Sequence, residues 1–210
     1  MKIKICGLTR VCEAEYLNKN GVDMAGFVLF YEKSKRNIGI DDTRAIRGEL
    51  DDRIQTVAVT VSPNLDQVRD IISSGFDLIQ IHGRIPEGYF DIKDRIPVIK
   101  AFNLKDMDTY ADHQKIGDIA GFVFDAESPG SGKTFDYNRL LDIERDENRL
   151  FILSGGLNAD NVGFAIRSVR PDVVDVSSGV EYEEAGRRGK DPVRIASFVR
   201  AVREAGFETI

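Results

Sequence analysis

The sequence has no tryptophan and only two cysteines, two histidines and six prolines in 210 residues. So little cysteine excludes a disulfide framework. Cys6 and Cys12 form no CxxC pair, and a reducing, cytoplasmic setting is expected. His82 and His113 stand far apart, with no metal-spaced cluster around them, so no metal site is expected. No apolar run approaches the roughly 20 residues of a membrane span. The opening stretch MKIKICGLTR is too short and too interrupted in its apolar character to read as a signal peptide. Long Lys/Arg runs are also missing, and the formal charge is −6. That balance argues against nucleic acid or an anionic membrane as the main partner, while leaving room for a local basic pocket.

What is present is ordinary globular material, 42% hydrophobic and 30% charged, enough to bury a substantial core. Short runs rich in Val, Ile and Phe recur at fairly even spacing. Strands are expected at KIKIC (2–6), MAGFVLF (24–30), IQTVAVTV (54–61), DLIQI (77–81), PVIKA (97–101), IAGFVFD (119–125), LFILS (150–154) and VVDVS (173–177). Continuous apolar runs of this length suit strands covered on both faces, as in a parallel sheet.

Amphipathic segments lie between them. In TRVCEAEYLNKNG (9–21), Thr9 is the expected N-cap and Asn20-Gly21 the expected end. In SPNLDQVRDIISSG (62–75), Ser62 or Asn64 caps a stripe of Leu65, Val68, Ile71 and Ile72. LNADNVGFAIRSV (157–169) and KDPVRIASFVRAVREAG (190–206) behave alike, the latter with Pro192 in its first turn and Gly206 as its stop. The fourth unit, IPEGYFDIKDR, leaves room for only a short helix. Eight strands, each followed by something helical, predict parallel pairing with right-handed crossovers. Eight repeats with no long linker favour a single (β/α)8 barrel spanning 1–210 over an open sheet.

The stretch GSGKTFD (130–136) ends like a nucleotide-binding P-loop, but the first glycine of that motif would fall at Glu127. A carboxylate there repels phosphate, so the segment reads instead as a loop after strand six, either a lid over a site or a plain connection. Gly155-Gly156 follows strand seven, and Ser177-Ser178-Gly179 follows strand eight. Glycines let main-chain N–H groups approach an anion, and barrels frequently bind phosphate at these two strand ends. Cys6 ends strand one, Arg36 follows strand two, His82 follows strand four and Asp125 ends strand six. Asp175, a charge inside strand eight, needs a partner or a ligand. If the barrel closes, Cys6, Arg36, His82, Asp125, the glycine pairs and the serines share the rim where barrel active sites sit.

Taken together, the pieces KICGLTR (4–10), GFVLF with KSKRNI (26–38), DLIQIHG (77–83), FDAESPGSGKTFD (124–136), LSGGLNADNV (153–162), VDVSSGVE (174–181) and GKDP (189–192) run in order across nearly the whole chain. In these pieces the sequence resembles the phosphoribosylanthranilate isomerases of tryptophan biosynthesis. The resemblance implies a cofactor-free aldose–ketose isomerase carrying out an Amadori rearrangement. It implies Cys6 as general base and Asp125 as general acid, with Arg36 holding the anthranilate carboxylate. Gln80, His82 and Asp175 join the expected substrate contacts, and Gly155, Gly156, Ser177, Ser178 and Gly179 the expected phosphate contacts. The expected partner is one small phosphorylated substrate, with neither nucleic acid nor membrane, in a monomer or homodimer. Ser34-Lys35-Arg36 departs from the family's usual Ser-Pro-Arg, and EYEEAGRRGKD (181–191) is slightly longer than usual.

The chemistry sets demands of its own. An ordinary aspartic acid with a pKa of about 3.9 is protonated in only about one molecule per thousand at pH 7. Desolvation by Phe122, Val123 and Phe124 is one expected help, and sufficiency of the small protonated fraction is the alternative. A thiol starts at about 8.5, and a nearby cation, with Lys4 the candidate, is expected to lower it. Other readings stay open: another phosphate-barrel enzyme such as the related histidine-pathway isomerase, a non-catalytic phosphometabolite-binding barrel, or a thiol redox sensor. The histidine-pathway enzymes usually use two aspartates, and Cys6 stands where the first would be.

Overall fold

Each of the eight apolar runs folds as a strand. The computed structural model describes residues 1–103, 106–125, 140, 143–184 and 186–207. The strands are β1 (Lys2–Cys6), β2 (Met24–Val28), β3 (Gln55–Val61), β4 (Leu78–His82), β5 (Val98–Phe102), β6 (Ile119–Phe124), β7 (Leu150–Leu153) and β8 (Val173–Val176). They are parallel and pair in chain order as a closed barrel. Closure is made by β8 against β1, where Lys2 faces Val173 and Lys4 faces Asp175.

Closure explains why the runs are continuous rather than alternating in polarity. Successive side chains point to opposite faces of a strand, and here both faces are covered. Met24, Val57, Leu78, Ile99, Val123, Ile152 and Val173 pack together with Cys6 inside the barrel. Their sequence neighbours, such as Ala25, Ala58, Ile79, Val98 and Val174, join the larger cluster between sheet and helices. Burying one such Val, Ile or Phe contributes roughly 1.5–3 kcal/mol.

The outer layer holds α1 (Cys12–Asn20), α2 (Asp42–Arg47), α3 (Leu65–Ser73), α4 (Tyr110–Gln114), α5 (Val162–Val169) and α6 (Pro192–Phe207). Asn64 caps α3 in a full capping box with Gln67, and Gly21 ends α1 in the left-handed conformation. Other boundaries differ from expectation. Thr9 does not cap α1. The carboxylate of Glu13, inside the first turn, reaches back to the N–H groups of Thr9 and Arg10 at 2.7 and 3.2 Å. α6 runs one residue past Gly206. After β4 there is only a 3-10 turn, Tyr89–Asp91. β2 ends before Phe30 because the chain turns there, with Phe30 at φ 57°. No described helix is long and apolar enough to cross a membrane.

Candidate active site

On β1 the inward positions are Lys4 and Cys6. The Cys6 thiol is buried, and room for it is made by the neighbouring strand. Cys6 pairs with Gly26, and a Cβ on Gly26 would lie 2.9 Å from Cys6 Sγ and 3.1 Å from its Cα. One inward step down, Lys4 is fully buried and its Nζ lies 2.8 Å from Asp175 Oδ2. Burial alone would lower Lys4, but Asp175 and then Cys6 hold it above the ordinary lysine range.

The thiol itself departs from the downward shift expected of a cationic neighbour. Burial pushes Cys6 up. Lys4, Lys190 and Arg36 pull it down and Asp175 pushes it further up, so that burial wins. The cation is where the sequence placed it, but it limits the rise rather than reversing it.

On β4 the inward positions are Gln80 and His82, and their Nε2 atoms lie 2.9 Å apart. Burial, with Lys4 and Lys100, lowers His82 to about 4. The ring is therefore neutral near pH 7, so its Nε2 accepts from the Gln80 amide and its Nδ1 carries the proton. This leaves Gln80 Oε1 buried without a hydrogen-bond partner, as is Asp175 Oδ1. Buried acceptors are normally paired, and these two are not.

Asp125 follows β6 and is 7% exposed, with its N–H donated to the Phe102 carbonyl at 2.8 Å. Arg36 lies in the loop after β2. Its stem crosses Gly7, where φ is +82° and a Cβ would meet Arg36 Cδ at 2.4 Å. Its Nε donates to Glu181 Oε1 at 2.5 Å, while its Nη2 is buried with no partner.

Gly155 and Gly156, with φ of 97° and 66°, turn the chain after β7. None of the hydrogen bonds of the described residues uses their N–H groups. After β8, Ser177 donates its hydroxyl to the Cys6 carbonyl at 2.8 Å. A Cβ on Gly179 would stand 2.0 Å from the Leu157 carbonyl oxygen, so Gly179 lets the two loops touch.

A cavity of about 690 Å³ opens at the C-terminal ends of the strands. Cys6, Arg36, Gln80, His82, Asp125 and Asp175 line it, as do Gly155, Gly156, Ser177 and Ser178. Of the expected site residues only Gly179 does not face it. Residues 126–139 lie outside the described residues, and with them the GSGKTFD stretch and the lid expected at 126–134.

The family profile of N-(5'-phosphoribosyl)anthranilate (PRA) isomerase matches residues 3–201. The chain belongs to the phosphoribosylanthranilate isomerase family. The N-(5'-phosphoribosyl)anthranilate isomerase of Thermotoga petrophila is 39% identical over 208 residues, which is 95% of this chain and 97% of that one. A crystal structure of a phosphoribosylanthranilate isomerase with reduced 1-(o-carboxyphenylamino)-1-deoxyribulose 5-phosphate superposes with a TM-score of 0.81 at 36% identity, covering 97% of this chain and 99% of that one. Monomers generated from the dimeric Thermotoga maritima phosphoribosylanthranilate isomerase give the same TM-score, 0.81, at 36% identity over 97% of this chain and 99% of that one. The reaction is the family's aldose–ketose isomerisation of N-(5′-phosphoribosyl)anthranilate in tryptophan biosynthesis.

Two residues that brace the lining of this phosphoribosylanthranilate isomerase cavity were not singled out by sequence. Glu181 binds Arg36, Lys35 and Lys190 at 2.5, 2.7 and 3.3 Å. Burial would raise its carboxyl, but Arg36, Lys190 and Lys35 hold it down to about 2. Lys190 also donates to the Ser177 carbonyl at 3.1 Å. The two face each other across a short antiparallel bridge that carries the longer loop, where Arg187 stacks on Tyr182 at 3.7 Å. The quoted pieces VDVSSGVE and GKDP contain both residues, but nothing local to those pieces reveals a partner 145 positions away.

Proposed function

We propose that this isomerase works by acid–base catalysis between Cys6 and Asp125. The observation that carries the reading is that both residues, from β1 and the end of β6, line one cavity together with the glycine-rich ends of β7 and β8.

In this scheme the Asp125 carboxylic acid gives its proton to the ribose ring oxygen. The C1′–O4′ bond breaks, and the anilino nitrogen lone pair forms the C1′=N bond of an iminium. The Cys6 thiolate then removes the proton from C2′. The C–H electron pair becomes the C1′=C2′ bond and the C1′=N pair returns to nitrogen. The resulting enolamine loses its O–H proton and gains one at C1′, giving the 2′-ketone. The protons gained at O4′ and C1′ balance those lost from C2′ and its hydroxyl and no electrons are lost, so the rearrangement needs no redox partner.

The other residues bind and orient. The substrate phosphate sits against the Gly155 and Gly156 N–H groups and the Ser177–Ser178 turn, where close main-chain approach suits an anion. Gln80 Oε1 and Asp175 Oδ1 accept from sugar hydroxyls, which supplies the partners those atoms lack. Arg36 takes the anthranilate carboxylate, a match for a planar guanidinium.

The test is to mix the purified protein with phosphoribosylanthranilate and follow loss of anthranilate fluorescence, with C2′-deuterated substrate in parallel. Slower turnover of the deuterated substrate, and a drop of about 10²–10⁴-fold in Asp125→Asn, support the scheme. An unaffected Asp125→Asn assigns the acid elsewhere.

A further inference from the structure

The Arg36–Glu181 contact has an unusual division of labour. A carboxylate beside an arginine commonly takes two parallel N–H groups. Here Glu181 takes only the Nε of Arg36, on Oε1 at 2.5 Å. Its second oxygen, Oε2, is drawn to Lys35 Nζ at 2.7 Å. Lys190 Nζ, fully buried, adds a third contact to Oε1 at 3.3 Å. The consequence is that Arg36 Nη2 is buried and has no partner, in a side chain that lines the cavity.

The stem of Arg36 is constrained as well. It lies over Gly7 so closely that no side chain fits there. Its loop is held by hydrogen bonds from the Tyr31 N–H to Asn37 Oδ1 at 2.8 Å and from the Arg36 N–H to Ser34 Oγ at 3.2 Å. The guanidinium therefore has its stem and its Nε fixed, with the N–H groups of Nη2 left without a partner.

We propose that Glu181 is the positioning residue for recognition of the substrate's aromatic carboxylate: it holds Arg36 by Nε and, because Lys35 occupies its other oxygen, leaves Nη2 for the ligand. This rests on the reading of Arg36 as the carboxylate contact. A Lys35 that only decorated the surface would not matter to binding. In this arrangement it matters, because a Glu181 released from Lys35 can swing Oε2 onto Nη2 and fill the place meant for the substrate.

The test uses two ligands on the intact protein: reduced 1-(o-carboxyphenylamino)-1-deoxyribulose 5-phosphate, and the same compound without the ring carboxylate. Glu181→Gln is expected to weaken the first by about tenfold or more and to leave the second within about twofold, with KM rising more than kcat falls. Lys35→Met changes a side chain that is 67% exposed, so it leaves folding intact. It is expected to weaken the carboxylated ligand alone, by a few-fold. Arg36→Met separates the two ideas. If it weakens both ligands equally, the reading of Arg36 fails and this inference fails with it. If it discriminates between the ligands while Glu181→Gln and Lys35→Met do not, Arg36 keeps its role and the positioning by Glu181 is overturned.

Discussion

Lys4 Nζ and Asp175 Oδ2 face each other at 2.8 Å across the seam that closes the barrel, one inward step below the Cys6 thiol. A buried ion pair is weak evidence for stability, because both charges have been taken out of water. Its place beneath the proposed base gives it another effect: the ammonium opposes that of burial on the thiol.

That role predicts a pH profile. A base acts when deprotonated, so the acidic limb of kcat/KM follows the Cys6 thiol, which burial has raised. Lys4→Met removes the nearest cation and leaves Asp175, which pushes the thiol the same way as burial. The limb is expected to move to higher pH, with the double variant Lys4→Met/Asp175→Asn between it and the wild type. The single variant is also expected to lose about 3–5 kcal/mol of stability from the unpaired carboxylate. A limb that does not move, measured by initial rates across pH, removes Lys4 from the catalytic account.

The strands were legible because a strand covered on both faces is apolar at most positions, as in Ile119–Phe124. Closure was legible only from the count of eight, since no run carries a mark of its neighbour. Thr9 looked like a cap because hydroxyls usually serve there, and a carboxylate four residues on took the bond instead. Cys6, His82, Asp125 and the glycine and serine pairs were legible by their order, standing at strand ends or just after them. Their electrostatics were not. The rise of the thiol depends on how deeply β1 is enclosed, and the partners of Glu181 come from the distant loop after β2 and from its own loop after β8.

Gly26 gives a steric prediction. Its missing side chain is the space that Cys6 Sγ occupies. Gly26→Ala puts a methyl 2.9 Å from that sulfur and 3.1 Å from the Cys6 backbone, and the backbone atom cannot swing aside. A loss of about 1–3 kcal/mol in urea unfolding is expected, with kcat lowered by at least about tenfold as the thiol is displaced. Turnover and stability both equal to wild type would show that β1 and β2 do not sit as described.

Glu181 gives a stability prediction with a definite sign. Its carboxyl is held at about 2, below the ordinary 4.5. The folded state therefore favours the ionised form. The stabilisation is complete above the ordinary value and is lost as the pH falls from there towards about 2. Between pH 6 and pH 3 the wild type is expected to lose about 2 kcal/mol more than Glu181→Gln, read by denaturant unfolding at each pH. Equal losses in the two proteins would mean that Arg36, Lys35 and Lys190 do not hold this carboxylate in solution.

The most direct test of the central claim is turnover of Cys6→Ser, with affinity for reduced 1-(o-carboxyphenylamino)-1-deoxyribulose 5-phosphate measured on the same preparation. A hydroxyl fills the place of the thiol but is a far poorer base near neutral pH. The account predicts kcat lower by about 10²–10⁴-fold and a Kd within about threefold of the wild type. Wild-type turnover in Cys6→Ser would contradict it.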